Sequence, residues 1–215
     1  MRDYSSCLLD PEQSAVLIID EEPMMFFGVE STTRAAIMNN VVGLAKTAEA
    51  FSVPCILSTI EANTFSGLLY PKLQAVYPHV SPVDRTTINA WEDVNVKRAV
   101  QATGRTKLLI AGLWTEACVL FPALCAKADG YDVYVVTDAS GGATKEAHDM
   151  AILRMAQAGV KPVTWLQVLL EYQRDWSHKE TYASVVNIIK DHGGAYGQCM
   201  DYAESMVQKN NRNNQ

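Results

Sequence analysis

Short apolar runs and amphipathic segments alternate along this chain. Residues 15–19, AVLII, are apolar throughout and too few for a helix, which predicts a strand buried on both faces and closed by Asp20. The polar, proline-containing stretch EEPMMFFGVES predicts a loop after it. Ile37, Val41, Leu44, Ala45 and Ala48 then share one face of an amphipathic helix that Thr32 or Thr33 caps. Residues 53–59 read as a second strand, with Pro54 tolerated near its start. Pro71, Pro78 and Pro82 mark a loop interrupted only by a short helix at 72–76, and residues 92–103 read as a helix that ends at Gly104.

The next run, 107–111, is a buried strand between Gly104 and Gly112. From Thr115, a plausible cap, the apolar residues Val119, Leu120, Ala123 and Leu124 recur at helical spacing. Cys118 therefore falls in the first turn of a helix, just past a buried strand. Residues 131–136, YDVYVV, predict a strand closed by TDASGG; residues 146–158 predict a helix stopped by Gly159; and a last strand is expected at 162–165. Beyond Trp176, helices are expected at 181–190 and 199–208 around the turn HGGAYG, and KNNRNNQ is expected to be disordered unless a neighbouring subunit holds it. The alternation defines an α/β fold class, a three-layer α/β/α domain around a parallel sheet covered on both faces. Residues 1–176 are expected to form that domain, and residues 177–215 a helical extension packed on it or on a neighbouring subunit.

Composition narrows the function. The formal net charge of -6, with no basic stripe, argues against a general nucleic-acid binder. No run approaches a membrane span, and MRDYSSCLLD lacks the basic start and apolar core of a secretory signal, so a cytoplasmic location is expected. Cys7, Cys55, Cys118, Cys125 and Cys199 show neither paired spacing nor a CxxC, which indicates no disulfide framework and no zinc site.

Three chemically active residues fall where ligands gather in a parallel sheet, at the carboxyl ends of the strands. Asp20 closes the first strand, Cys118 opens the helix after the central one, and Arg85 lies in the intervening loop VDRTTINAW. A helix N-terminus lowers the pKa of a thiol and offers N–H groups to an oxyanion, so Cys118 is read as a nucleophile, against the tendency of free cysteines to be inert core atoms. Asp20 would accept its proton, and Arg85 would hold Asp20 ionised. Phe26, Phe27, Asn89, Trp91 and Trp114 flank these positions. The rings suit a small, flat or apolar acyl group, while Phe26 and Phe27 serve equally well as oligomer-interface anchors. Glu22 and Glu116 at the same edge would disfavour an anionic substrate. His79, His148, His178 and His192 are scattered, and surface or capping roles are expected.

The segments AVLIID, INAWED, LLIAGLWTEACV and VYVVTDAS, over about residues 10–176, resemble the isochorismatase-like cysteine hydrolase superfamily, most closely its YcaC-like branch. The resemblance implies a Rossmann-like, six-stranded, mostly parallel sheet between helices and a cofactor-free triad of Asp20, Arg85 and Cys118. It further implies amide or related hydrolysis through a thioester and a homo-oligomeric ring, tetramer or octamer. It also implies a cis peptide near Leu113 and Trp114 and an oxyanion hole from the backbone N–H groups of Ala117 and Cys118. The substrate pocket would take in Phe26, Asn89, Trp91 and Trp114. Most of the superfamily carries lysine where this chain has Arg85, which cannot shuttle a proton and is left an electrostatic role. After the second strand the chain reads STIEANTFSG, with Glu61 and no histidine, so a nicotinamidase metal site is not expected and no metal ligand is assigned. True isochorismatases lack the cysteine. An alternative keeps the fold but replaces turnover by small-molecule binding or a redox response at the same thiol.

Overall fold

The computed structural model describes residues 7–208. Its sheet has strands β1 (Ser14–Ile19), β2 (Cys55–Ile60), β3 (Val83–Arg85), β4 (Lys107–Leu113), β5 (Asp132–Gly141) and β6 (Lys161–Val163). All neighbours are parallel and the order is β3-β2-β1-β4-β5-β6. Every residue of β1 and β4 is buried, as expected of central strands covered by helices on both faces.

One face packs on α2 (Arg34–Ala50), α7 (Trp165–Gln173) and α8 (Lys179–His192), and the other on α4 (Val94–Ala102), α5 (Leu120–Ala128) and α6 (Lys145–Gln157). Thr33 caps α2 through the Ala36 N–H, and Gly104, at φ +66°, lies just beyond the end of α4. The switch in chain order between β1 and β4 opens the crevice where α/β sheets bind ligands.

Several local expectations are corrected. The stretch after Asp20 is not all loop: Pro23–Phe27 forms a short helix, α1, with Pro23 in its first turn. Arg85 is not in a loop but ends β3, a three-residue edge strand in which only Arg85 is buried, so no apolar run marks it. β5 does not stop before TDASGG but continues to Gly141 through a register shift opposite Ile110 and Gly112. Trp165 belongs not to β6 but to α7, which Thr164 caps; its ring is buried against α2 at Gly43. The short helix predicted at 72–76 is α3 (Pro71–Gln74), and the chain ends in α9 (Ala195–Tyr202) and a further turn at Ala203–Gln208. Val185, Ile188 and Ile189 of α8 are buried in the core shared with α2 and α7. The expectation for KNNRNNQ lies outside the described residues.

Candidate active site

The carboxyl ends of β1, β3 and β4 bring Asp20, Arg85 and Cys118 together. Asp20 follows β1 in the left-handed region, φ +58°, and its N–H donates to the Ser58 carbonyl at 2.9 Å. Such a conformation is uncommon outside glycine, and aspartate tolerates it better than most residues. Arg85 meets its carboxylate as a bidentate fork, Nη1 to Oδ1 at 2.6 Å and Nη2 to Oδ2 at 2.9 Å, with both side chains fully buried. Nη1 also donates to the Thr59 carbonyl at 3.0 Å, which fixes the fork against β2.

Beyond β4 the Leu113–Trp114 peptide is cis. Residues Thr115–Val119 form a wide π-helical turn, closed by the Val119 N–H on the Trp114 carbonyl at 3.3 Å, before α5 begins. Gly112 allows this approach: at φ +143°, a Cβ there would lie 2.0 Å from the Ile19 carbonyl oxygen. The Trp114 indole donates to the Met25 carbonyl at 2.8 Å and packs so closely on Gly28 that a Cβ would meet its ring at 2.2 Å. Thr115, expected as a cap, follows the capping position, and its hydroxyl instead meets His148 Nδ1 at 2.8 Å. His148 is thus a half-buried neighbour of the nucleophile turn, which its scattered position in sequence did not reveal. Glu116 Oε1 accepts from the Ala143 N–H at 2.9 Å, tying the same turn to the segment before α6.

Cys118 is 4% exposed and lies beside the Asp20 carboxylate, within reach of the Arg85 charge and the Trp114 backbone. The expectation of a low thiol pKa is reversed. Burial, followed by the adjacent Asp20 charge, pushes the Cys118 thiol up to about 12, outweighing Arg85 and the Trp114 N–H. Burial also raises Asp20, against the pull of Arg85, and so increases its affinity for a proton. Glu22 is buried as well, and burial lifts its carboxyl to about 8, so at neutral pH it does not supply the full charge expected of it against anions.

The expected pocket residues separate. Phe26 is buried edge-on to Tyr70, 5.8 Å between centroids, and with Phe27, Met38 and Tyr70 lines an apolar cavity of about 190 Å³. Phe27 is 71% exposed. Asn89 and Trp91 engage α5 and its end: Asn89 Nδ2 donates to Cys125 Sγ at 3.4 Å, and the Trp91 indole donates to Asp129 at 2.9 Å. The Ala117 N–H, an expected oxyanion donor, bonds the Trp114 carbonyl at 3.1 Å. Among the described residues, no group of three or more His, Cys, Asp or Glu side chains has an arrangement suited to a metal ion.

Comparison with protein families matches the isochorismatase domain over residues 14–167. The chain belongs to the isochorismatase family. Within it the YcaC-like branch is the match: the chain is 40% identical over 169 residues to the probable hydrolase YcaC of Escherichia coli, covering 78% of this chain and 81% of that one. A probable inactive nicotinamidase of Arabidopsis thaliana is 36% identical over 112 residues, covering 52% of this chain and 55% of that one. Among solved structures, the Escherichia coli YcaC gene product, an octameric hydrolase of unknown specificity, superposes with TM-score 0.89 at 36% identity, covering 96% of this chain and all of that one. YcaC from Pseudomonas aeruginosa, with hexane-2,5-diol and covalent acrylamide, gives TM-score 0.88 at 34% identity and covers 95% of this isochorismatase-family chain and all of that one.

Proposed function

We propose that this isochorismatase-family hydrolase cleaves the C–N bond of a small amide, or a related acyl bond, through a thioester at Cys118. The observation that carries the reading is the buried contact of the Cys118 thiol with an Asp20 that Arg85 grips at both oxygens. Because the thiol is held neutral, the proton moves during attack rather than before it. Cys118 Sγ bonds to the acyl carbon as its proton passes to Asp20. The tetrahedral oxygen is met by the Cys118 and Ala117 N–H groups, the latter shared with the Trp114 carbonyl. Asp20 then returns the proton to the leaving nitrogen. In the second half-reaction Asp20 takes a proton from water as its oxygen bonds to the acyl carbon, and the C–S bond then breaks as Asp20 passes that proton to Cys118 Sγ, releasing the acid and restoring the thiol.

Arg85 remains charged throughout and acts by position: it orients the Asp20 carboxylate and balances its charge. The covalent acrylamide in the Pseudomonas aeruginosa relative supports a reactive nucleophile in this branch. The octameric relative supports a homo-oligomer, for which exposed Met24, Phe27, Leu68 and Ile88 offer apolar area. A redox-responsive role is less well supported, because a thiol that is neutral and 4% exposed lacks the thiolate character and access of a sensor.

The test is release of ammonia or amine from a panel of small uncharged amides. Catalytic release lost in both Cys118→Ala and Asp20→Ala supports the proposal. Release unaffected by Cys118→Ala, or none from any amide or related acyl compound, contradicts it.

A further inference from the structure

Next to the Asp20–Arg85 pair stands a carboxyl that the proposed chemistry does not use. Glu22 is fully buried, and its two oxygens differ: Oε2 accepts from the Ile60 N–H at 3.0 Å, while Oε1 is buried with no hydrogen-bond partner. Ile60 is the β2 residue in register with Arg85 on β3, and the Arg85 charge acts on the Glu22 carboxyl that Ile60 anchors. Arg85 Nε and Thr87 Oγ1 are likewise buried without partners. Unsatisfied polar atoms are uncommon in folded proteins, and their concentration around a charged pair marks groups with capacity to bind something further.

The charges around Glu22 determine its state. Asp20 from the end of β1 and Asp84 from β3 repel a second negative charge, and the nearby Arg85 cation is already engaged at both Asp20 oxygens. Glu21, the preceding residue, is buried with neither oxygen partnered. An acid in that setting keeps its proton at neutral pH. Since Oε2 accepts from Ile60, the proton belongs on Oε1, where it meets no acceptor.

We propose that Glu22 is a substrate-recognition group of the Cys118 site: while protonated, its Oε1 hydroxyl donates to a carbonyl or hydroxyl oxygen on the acyl part of the substrate, and once ionised the same carboxyl turns carboxylates away from the thiol. This rests on the reading of Cys118 as the acyl-transfer nucleophile. A purely structural Glu22 would tie the β1–α1 connection to β2 through Ile60 and exert no control over the charge of what reaches the thiol.

The experiment compares modification of Cys118 by iodoacetamide and by iodoacetate in the full-length protein from about pH 6 to about pH 9.5, spanning ionisation of Glu22. Taking the ratio of the two rates cancels ionisation of the thiol. In the wild type, preference for the neutral reagent rises about tenfold with pH. In Glu22→Gln the ratio stays flat, and in Glu21→Gln it rises as in the wild type. Glu22→Gln also preserves saturable labelling by acrylamide, whereas Glu22→Leu weakens its half-saturation about fivefold. A flat wild-type ratio overturns the proposal without any variant, as does the same rise in Glu22→Gln. Should Glu22→Gln fail to fold, Glu22→Met serves for the ratio. Absence of amide turnover would count against the hydrolase reading while leaving this ratio intact, so the two failures are distinguishable.

Discussion

Two ion pairs of this molecule join residues distant in sequence, and they differ in almost every other respect. Arg85 and Asp20 form a bidentate pair with both side chains fully buried, while Lys46 and Asp191 meet at 3.1 Å between α2 and α8 with 34% and 60% of their side chains exposed. The exposed pair is a surface contact that water and salt weaken. The buried pair removes two charges from water, a cost that its Coulomb attraction recovers only with near-ideal geometry. The difference teaches where a reason beyond stability is needed: on the proposed reading, the first pair keeps a proton-accepting carboxylate at a thiol that burial holds neutral.

The largest effect is expected from breaking the buried pair on one side. Arg85→Leu leaves Asp20 buried and unmatched and should cost about 3–5 kcal/mol in denaturant unfolding, while Arg85→Lys retains the charge, loses the fork and destabilises less. Equal loss in both variants would mean that the fork geometry contributes nothing.

Next comes a dependence on pH. Glu22 is raised from its ordinary 4.5 to about 8 by burial, so between these values the native state holds a proton that the unfolded chain has released. Stability therefore falls as pH rises through that window, by about 1.4 kcal/mol per unit for this one group, and levels off above it. Burial raises Glu21 in the same direction. Thermal unfolding of wild type and Glu22→Gln from acid to alkaline pH should show a shallower decline in the variant; parallel curves would refute the assignment.

A smaller effect is expected at the nucleophile turn. Thr115→Val removes the hydroxyl that meets His148 at 2.8 Å and should cost about 1 kcal/mol, with slower Cys118 labelling as the turn loosens. Smallest of all is Lys46→Ala, expected to change stability by less than about 1 kcal/mol and by nothing measurable at high salt. A larger loss would make α8 depend on that pair rather than on buried Val185, Ile188 and Ile189.

The elements legible in sequence were those with strong apolar periodicity: β1, β4 and α2 followed from uninterrupted runs or one-sided spacing. β3 was not legible, because only the charged Arg85 is buried in it and β-strand patterning relies on apolar positions. α7 was obscured because Trp165 continues an apolar run out of β6; Thr164, whose hydroxyl accepts the Gln167 N–H, was the available signal. The positions of Asp20 and Cys118 followed from strand ends, but their protonation did not. A helix start argues for a reactive thiolate, and only the three-dimensional burial of Cys118 beside Asp20 reverses that argument. The place of His148 beside the nucleophile turn and the burial of Glu22, whose position at the site edge was legible, had no sequence signal for the same reason: both depend on which segments fold over them.

The most direct measurement is quenched-flow mass spectrometry with p-nitrophenyl acetate as an activated acyl probe. The account predicts a nitrophenol burst stoichiometric with protein and an acetyl group on the peptide containing Cys118 that decays as acetate is released. Both should be absent in Cys118→Ala and slowed in Asp20→Asn. Nitrophenol release that persists unchanged in Cys118→Ala, or an acetyl group that never leaves Cys118, would contradict it.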